Sequence, residues 1–258
     1  MTTLLRCFMA SLLLAALGLT GAPRARAADI YDAAVQHAGR SDEDRKRDAL
    51  DHPAEVLRLS GIKPGMQVAD VLAGDGYYSE LLSYIVGPKG HVLLINNPSF
   101  DKWSDNGWQP RLKGDRLPNV EHRTVDINHP QLAPHSLDAI LLVKVYHDLY
   151  WEDLEHKTGW PQIETRAVLD QLVAALKPHG VLLIVDHSAK PGTGSSAAGT
   201  LHRIDEAYAR HDFESRGLKF AGTTNVLRQS EDARDQITFK GPMVGKTDRF
   251  VLVFRKPG

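Results

Sequence analysis

The chain is almost without cysteine. Cys7 is the only one in 258 residues, so the protein builds no internal disulfide and no thiolate metal centre, and beyond its first few residues it has no thiol nucleophile. An excess of charge of one sign is lacking too. The 31 basic residues stand against 32 acidic ones, which gives no net attraction to nucleic acid or to an anionic membrane. Apolar runs of the ~20 residues that a membrane-spanning helix needs are missing as well. The one extended run, Cys7 to Leu19, falls short of that.

What is there begins with that run. A basic residue, Arg6, precedes it, Gly21 and Pro23 end it, and Ala25-Arg26-Ala27 follows in the small-x-small pattern of a cleavage site. The expectation is a cleavable secretory signal over 1–27 and a periplasmic or secreted product that starts at Ala28 and has no membrane contact after cleavage. Removing 27 of 258 residues leaves 231, enough for one α/β domain over 28–258 with a core that needs no staples. Its first part, 28–60, reads as a helical segment. Ser41 with acids behind it marks one helix start, Pro53 another, and Gly61 a stop. Arg45, Lys46 and Arg47 read as a solvated helix face.

From Gly65 onward, strand and helix patterns alternate. Strands are expected at 67–73, 91–95, 120–125, 137–146, 181–185, 218–223 and 249–254, with helices at 77–86, 161–176 and 201–216 and irregular chain at 98–118. Such alternation means a largely parallel sheet covered on both faces, a doubly wound α/β fold. In such sheets a ligand binds beyond the carboxyl ends of the strands.

The first strand runs into Asp70-Val71-Leu72-Ala73-Gly74-Asp75-Gly76-Tyr77. Small residues at 73, 74 and 76 let a backbone turn sharply and approach a ligand closely, at a helix start with unpaired N–H groups. A bare strand-to-helix turn fits the same residues. A dinucleotide loop fits less well, because Asp70 would repel a pyrophosphate.

The segment resembles the acid-x-Gly-x-Gly-x-Gly motif of the class I S-adenosylmethionine-dependent methyltransferases, with Leu72 in place of the first glycine. Gly61-Ile62-Lys63-Pro64-Gly65-Met66 and Leu176-Lys177-Pro178-His179-Gly180 resemble the family's approaches to its first and fifth strands. More narrowly, Gly76-Tyr77-Tyr78-Ser79, Val185-Asp186-His187, His202-Arg203-Ile204-Asp205-Glu206 and 247–252 resemble a bacterial group of methyltransferases that carry signal peptides. The resemblance implies a seven-stranded Rossmann-like sheet, parallel but for an antiparallel last strand, with S-adenosylmethionine as cofactor and a small-molecule methyl acceptor as partner. It places Asp70, Ala73, Gly74, Asp75, Gly76 and Tyr77 about the methionine part of the cofactor. Asn96 and Asn97 stand where the family has a ribose-binding acid, and Asp126 with Ile127 at the adenine, although a cap or turn carboxylate fits Asp126 equally well; Lys144, at the end of the fourth strand, lines the same cleft by position.

His147, His187 and His202 all fall at the expected ligand edge, each near an acid, and Tyr146 stands beside the first of them. Imidazole is the side chain suited to proton transfer near neutral pH, so the three are candidate catalytic residues. Loop and cap hydrogen bonding is the plainer role for each. A nitrogen/oxygen metal set of His147, His187 and a carboxylate of Asp148, Asp186 or Asp205 is also open, although no local spacing signature marks a metal ligand. Two further functions stay open beside the methyltransferase: a ligand-binding protein on the same scaffold, and a histidine- or metal-assisted enzyme of another class.

Overall fold

The computed structural model describes residues 29–155 and 157–258; the signal-peptide expectation over 1–27 lies outside them. Seven strands form one sheet: β1 (Gln67–Val71), β2 (His91–Asn96), β3 (Val120–Thr124), β4 (Leu137–Val143), β5 (Leu176–His187), β6 (Lys219–Thr223) and β7 (Arg249–Arg255). Their order is β3-β2-β1-β4-β5-β7-β6. Neighbours pair in parallel from β3 to β5, and β7 alone runs antiparallel to both its neighbours. This is the expected arrangement, last strand included.

Period-two alternation sends successive residues to opposite faces. Ile140, Leu142, Leu182, Ile184, Leu252 and Phe254 face one core, closed by α7 (Thr165–Ala175) and α9 (Glu206–Glu214). Ala139, Leu141, Leu183, Val185, Val251 and Val253 face the other. There α1 (Ile30–Val35), α3 (Pro53–Ser60) and α4 (Tyr77–Val86) cover the sheet through Ala34, Val56, Leu57, Leu81, Leu82 and Ile85. Between α1 and α3 comes α2 (Asp42–Asp51), capped by the Ser41 side chain, which accepts from the Asp44 amide; its last residue reaches the strand ends.

Three elements stop earlier or break where periodicity carries them on, and each departure shapes the strand edge. β4 ends at Val143 because Lys144 takes a left-handed backbone, φ 60°, and His147–Tyr150 coils into a 3-10 turn. The helix expected over 161–176 begins only at Thr165. The one expected over 201–216 is broken: α8 (Ala198–Leu201) stops at His202, φ 52°, and α9 restarts after Asp205, whose carboxylate accepts from the Ala207 amide. The stretch 98–118, expected to be irregular, contains two short helices, α5 (Pro98–Trp103) and α6 (Trp108–Leu112).

Candidate functional site

The loop from β1 to α4 keeps the geometry that its glycines suggest. Gly74 and Gly76 have φ of 60° and 82°, a region that L side chains rarely adopt. At Gly76 a Cβ would also stand 2.6 Å from Leu94 Cδ1. Leu72, where the family has glycine, adopts φ 54°. That left-handed backbone costs ~1–2 kcal/mol, offset by a leucine side chain buried in the core.

Around this loop the expected cofactor residues make most of their hydrogen bonds to other parts of the chain. Asp70 is sealed beneath it and accepts from Ser79 Oγ at 2.7 Å; burial pushes its carboxyl up to about 7. Asn96 uses both ends of its amide on the protein. Its Oδ1 accepts from the Gly74 amide, and its Nδ2 donates to Gly74 O and to Asp101 Oδ1. Asn97 accepts from the Phe100 amide and so caps α5. The Ala73 amide donates to Ile95 O. Tyr77 is buried and donates to Asp48. Asp126 lies exposed, accepting from the Asn128 amide and bonded to His129, while Ile127 is in the core.

The chain itself covers the loop. Phe100, Trp103 and Ser104 lie 3.8–3.9 Å from where a Gly74 Cβ would stand, and a Gly107 Cβ would meet Asp75 Cβ at 2.8 Å. Arg111 ties this cover down, donating to Asp75 Oδ2 (3.0 Å), Asp44 Oδ2 (2.7 Å) and Glu80 Oε2 (2.5 Å). S-adenosylmethionine fits one side of this loop and not the other. The turn, its glycines and the acid below it fit, whereas the Asn96 amide is engaged elsewhere and the loop's outer face is covered by residues 100–111.

Open space lies farther along the strand ends, over β4, β5 and β7, as a cavity of about 760 Å³. Lys144 is the only expected cofactor residue among its lining, but His147, His187 and His202 all line it, as do Trp103 and Trp151. Tyr146, also expected near the cleft, is instead buried and donates to Asp212. Phe100, Trp160 and Phe239 complete an aromatic wall.

The cavity has two charged ends. At one, the Asp51 carboxylate gathers Arg47 (2.8 Å), Lys144 (3.1 Å) and Arg249. Burial alone would raise its pKa, but the three cations hold it far below the usual carboxylate range. Burial, with Arg47 and Arg249 nearby, brings Lys144 down to about 8 against the pull of Asp51. Three cations on one carboxylate leave this end formally positive. Arg47 therefore does not belong to a solvated face: its guanidinium lies 3.8 Å from the centre of the Tyr77 ring and reaches Asp51. The Arg47–Asp51 spacing of four was legible in the sequence; that Lys144 and Arg249 converge on it was not.

At the other end, His147 Nδ1 meets Asp186 Oδ1 at 2.7 Å, and its Nε2 lies 3.2 Å from Asp148 Oδ1. Burial alone would lower this imidazole, yet the two carboxylates hold it at about 10. His202 Nδ1 lies 3.3 Å from the same Asp148 oxygen. His187 differs. Its Nδ1 bonds Thr247 Oγ1 at 2.8 Å, and burial, with His147, Lys144, Arg249 and Arg203 around it, pushes its pKa well below the ordinary imidazole range. His187, its pKa lowered, thus lies in a cavity with a cationic end and a carboxylate-rich end.

No family model matches the chain. A ubiquinone/menaquinone biosynthesis C-methyltransferase of Vibrio vulnificus is 27% identical over 194 residues, covering 73% of this chain and 66% of the relative, just under two thirds of its length. A methyltransferase of Saccharophagus degradans with the same name is 26% identical over 201 residues, 73% of this chain and 69% of that one. Among solved structures, a SAM-dependent methyltransferase from Aquifex aeolicus superposes with a TM-score of 0.58 at 22% identity, over 84% of this chain and 99% of that one. These relatives and this structural neighbour are methyltransferases, and the chain has their fold.

Proposed function

We propose that the chain is an S-adenosylmethionine-dependent methyltransferase that acts on a small molecule held in the cavity, and that it works outside the cytoplasm. The observation that carries the reading is the left-handed turn at Gly74 and Gly76 between β1 and α4, in a sheet of order β3-β2-β1-β4-β5-β7-β6. When bound, the cofactor supplies an electrophilic methyl group. The chain's own residues do the rest by positioning and proton handling. Gly74 and Gly76 hold the loop in a form that a side chain would block. Arg47, Lys144 and Arg249 favour an acceptor that carries negative charge, and the aromatic wall favours a flat one. His187 lines the cavity unprotonated and so can receive the acceptor's proton, as a weak base because burial and the surrounding cations lower its pKa.

Calorimetry on the purified protein tests this. Wild type should bind S-adenosylmethionine and Gly74→Val should not, with its melting transition still cooperative. His187→Ala should keep cofactor affinity and slow transfer by roughly 100- to 10,000-fold. Should the wild type bind no S-adenosylmethionine at millimolar ligand, the enzyme reading is lost. The covered glycine loop favours a second reading, a binding protein without turnover; ligand affinity with no methylated product under any acceptor screen would select it.

A further inference from the structure

We propose that His147, Asp148 and His202 form a binding site for one divalent first-row transition ion, with a coordination position open to the cavity. Ligand atoms from the three residues all lie within 4.8 Å of one another. The Asp148 oxygen is 3.2 Å from His147 Nε2 and 3.3 Å from His202 Nδ1. An ion with bonds of 2.0–2.1 Å separates tetrahedral ligands by about 3.4 Å, so both separations suit a shared metal. They are long for charge-assisted hydrogen bonds, which His147 does make to Asp186 at 2.7 Å.

The surroundings are built as a metal centre requires. A ligating imidazole is oriented through its other nitrogen, usually by a carboxylate. Asp186 does this for His147 Nδ1, and is itself held by the amides of His147 (2.8 Å) and His187 (2.7 Å). His202 reaches the site from the end of α8, where its left-handed backbone turns the ring between Phe239 and Trp151, 4.7 and 5.6 Å away between ring centres. Among the described residues the Asp148 carboxylate meets only these two imidazoles. Binding an ion displaces the proton that His147 otherwise keeps, and the two charges of a divalent ion then answer those of the two buried carboxylates, Asp148 and Asp186. Two imidazole nitrogens and one carboxylate oxygen select a transition ion over magnesium or calcium. His187 and Asp205 fall outside the set, since neither is among the residues whose ligand atoms gather within 4.8 Å, and Asp205 caps α9.

All three ligands line the cavity, so the open position faces whatever small molecule enters it. An oxygen or nitrogen of that molecule would complete the coordination and be held beside His187. This site stands independently of the methyl-transfer reading: a chain that binds zinc but not S-adenosylmethionine would uphold the one and sink the other.

The test is calorimetry of Zn²⁺ and Co²⁺ against protein stripped with chelator, with bound metal counted by elemental analysis and thermal melts run with and without Zn²⁺. One ion per chain is expected, with micromolar affinity or tighter and a rise in Tm on addition of metal. His202→Ala and Asp148→Asn should abolish both effects while still melting cooperatively, and His187→Ala should preserve both. Asp186→Asn should weaken affinity by about 10- to 100-fold. If a stripped variant fails to fold, His202→Ala, on the most exposed of the three ligands, decides. No binding by the wild type at ~100 μM ion, a concentration far above a micromolar dissociation constant, overturns the proposal. So does binding that survives both His202→Ala and Asp148→Asn.

Discussion

Asp70 carries the acidic place of the glycine motif, and its chemistry differs from what that motif suggests alone. A carboxylate facing a cationic ligand would be held ionised; this one is buried beneath the loop with Ser79 as its hydrogen-bond donor. Its pKa rises from 3.8 to about 7, chiefly by desolvation. A raised folded value means that the folded state holds the proton more tightly than the unfolded one. The associated stability is complete below about 3.8 and is lost as pH rises to about 7, an effect of roughly 4 kcal/mol at most. Asp70→Asn should remove this slope. Urea midpoints of wild type and variant should converge toward acid and separate toward neutrality, with the variant the more stable; parallel curves would show that Asp70 titrates normally. At this scale the sequence shows which residues form the turn, and only the structure shows what surrounds each of them. Leu72 shows the same. Its identity departs from the glycine pattern, yet its backbone is left-handed, a conformation that favours glycine.

Among the elements, the connection between β2 and β3 decides how accessible the loop is. Its composition of Asn, Gly, Asp, Pro and Trp reads as irregular chain, and nothing in its periodicity says that it folds back over Gly74. Arg111 holds it there, shared among Asp44 of α2, Glu80 of α4 and Asp75 of the loop. Arg111 and Arg116 hold the Glu80 carboxyl at about 2 against the opposing effect of burial. A lysine offers one point charge where the guanidinium spans three carboxylates. Arg111→Lys should therefore speed hydrogen exchange across 98–112 by about 10-fold, leaving β4 and β5 protected. If the cover must lift for S-adenosylmethionine to enter, the same variant should bind it more tightly, because less of the binding energy is spent on opening. Unchanged exchange would show that the cover is held by Phe100 and Trp103 packing instead.

Across the whole molecule, the cationic end of the cavity joins elements far apart in the chain. Asp51 closes α2, Lys144 follows β4 and Arg249 opens β7. The helical segment before the sheet is thus part of the site, and its first helix is tied down as well. Asp29 accepts from the Tyr31 amide to cap α1, and Arg58 of α3 bonds Asp29 and Asp32. These contacts all begin after Ala27, so a cut there leaves every one of them in place. The proposed export therefore predicts a product with Ala28 as its N-terminus and this fold. N-terminal sequencing of a periplasmic fraction checks it, and recovery of chain that starts at Met1 from the cytoplasm alone would count against export.

Binary pattern and turn residues in the sequence determined the alternation of strand and helix, the buried central strands and the glycine turn after β1, because period, propensity and positive φ are local properties. The antiparallel last strand came from the family resemblance rather than from local pattern. Only the tertiary structure decided which charged groups meet. Arg47 looked solvated until β4 and β7 brought Lys144 and Arg249 to the same carboxylate. His202 looked like the start of a long helix until its left-handed backbone broke that helix and turned the ring toward Asp148. Convergence of side chains from strands adjacent in space but distant in sequence leaves no periodic trace along the chain.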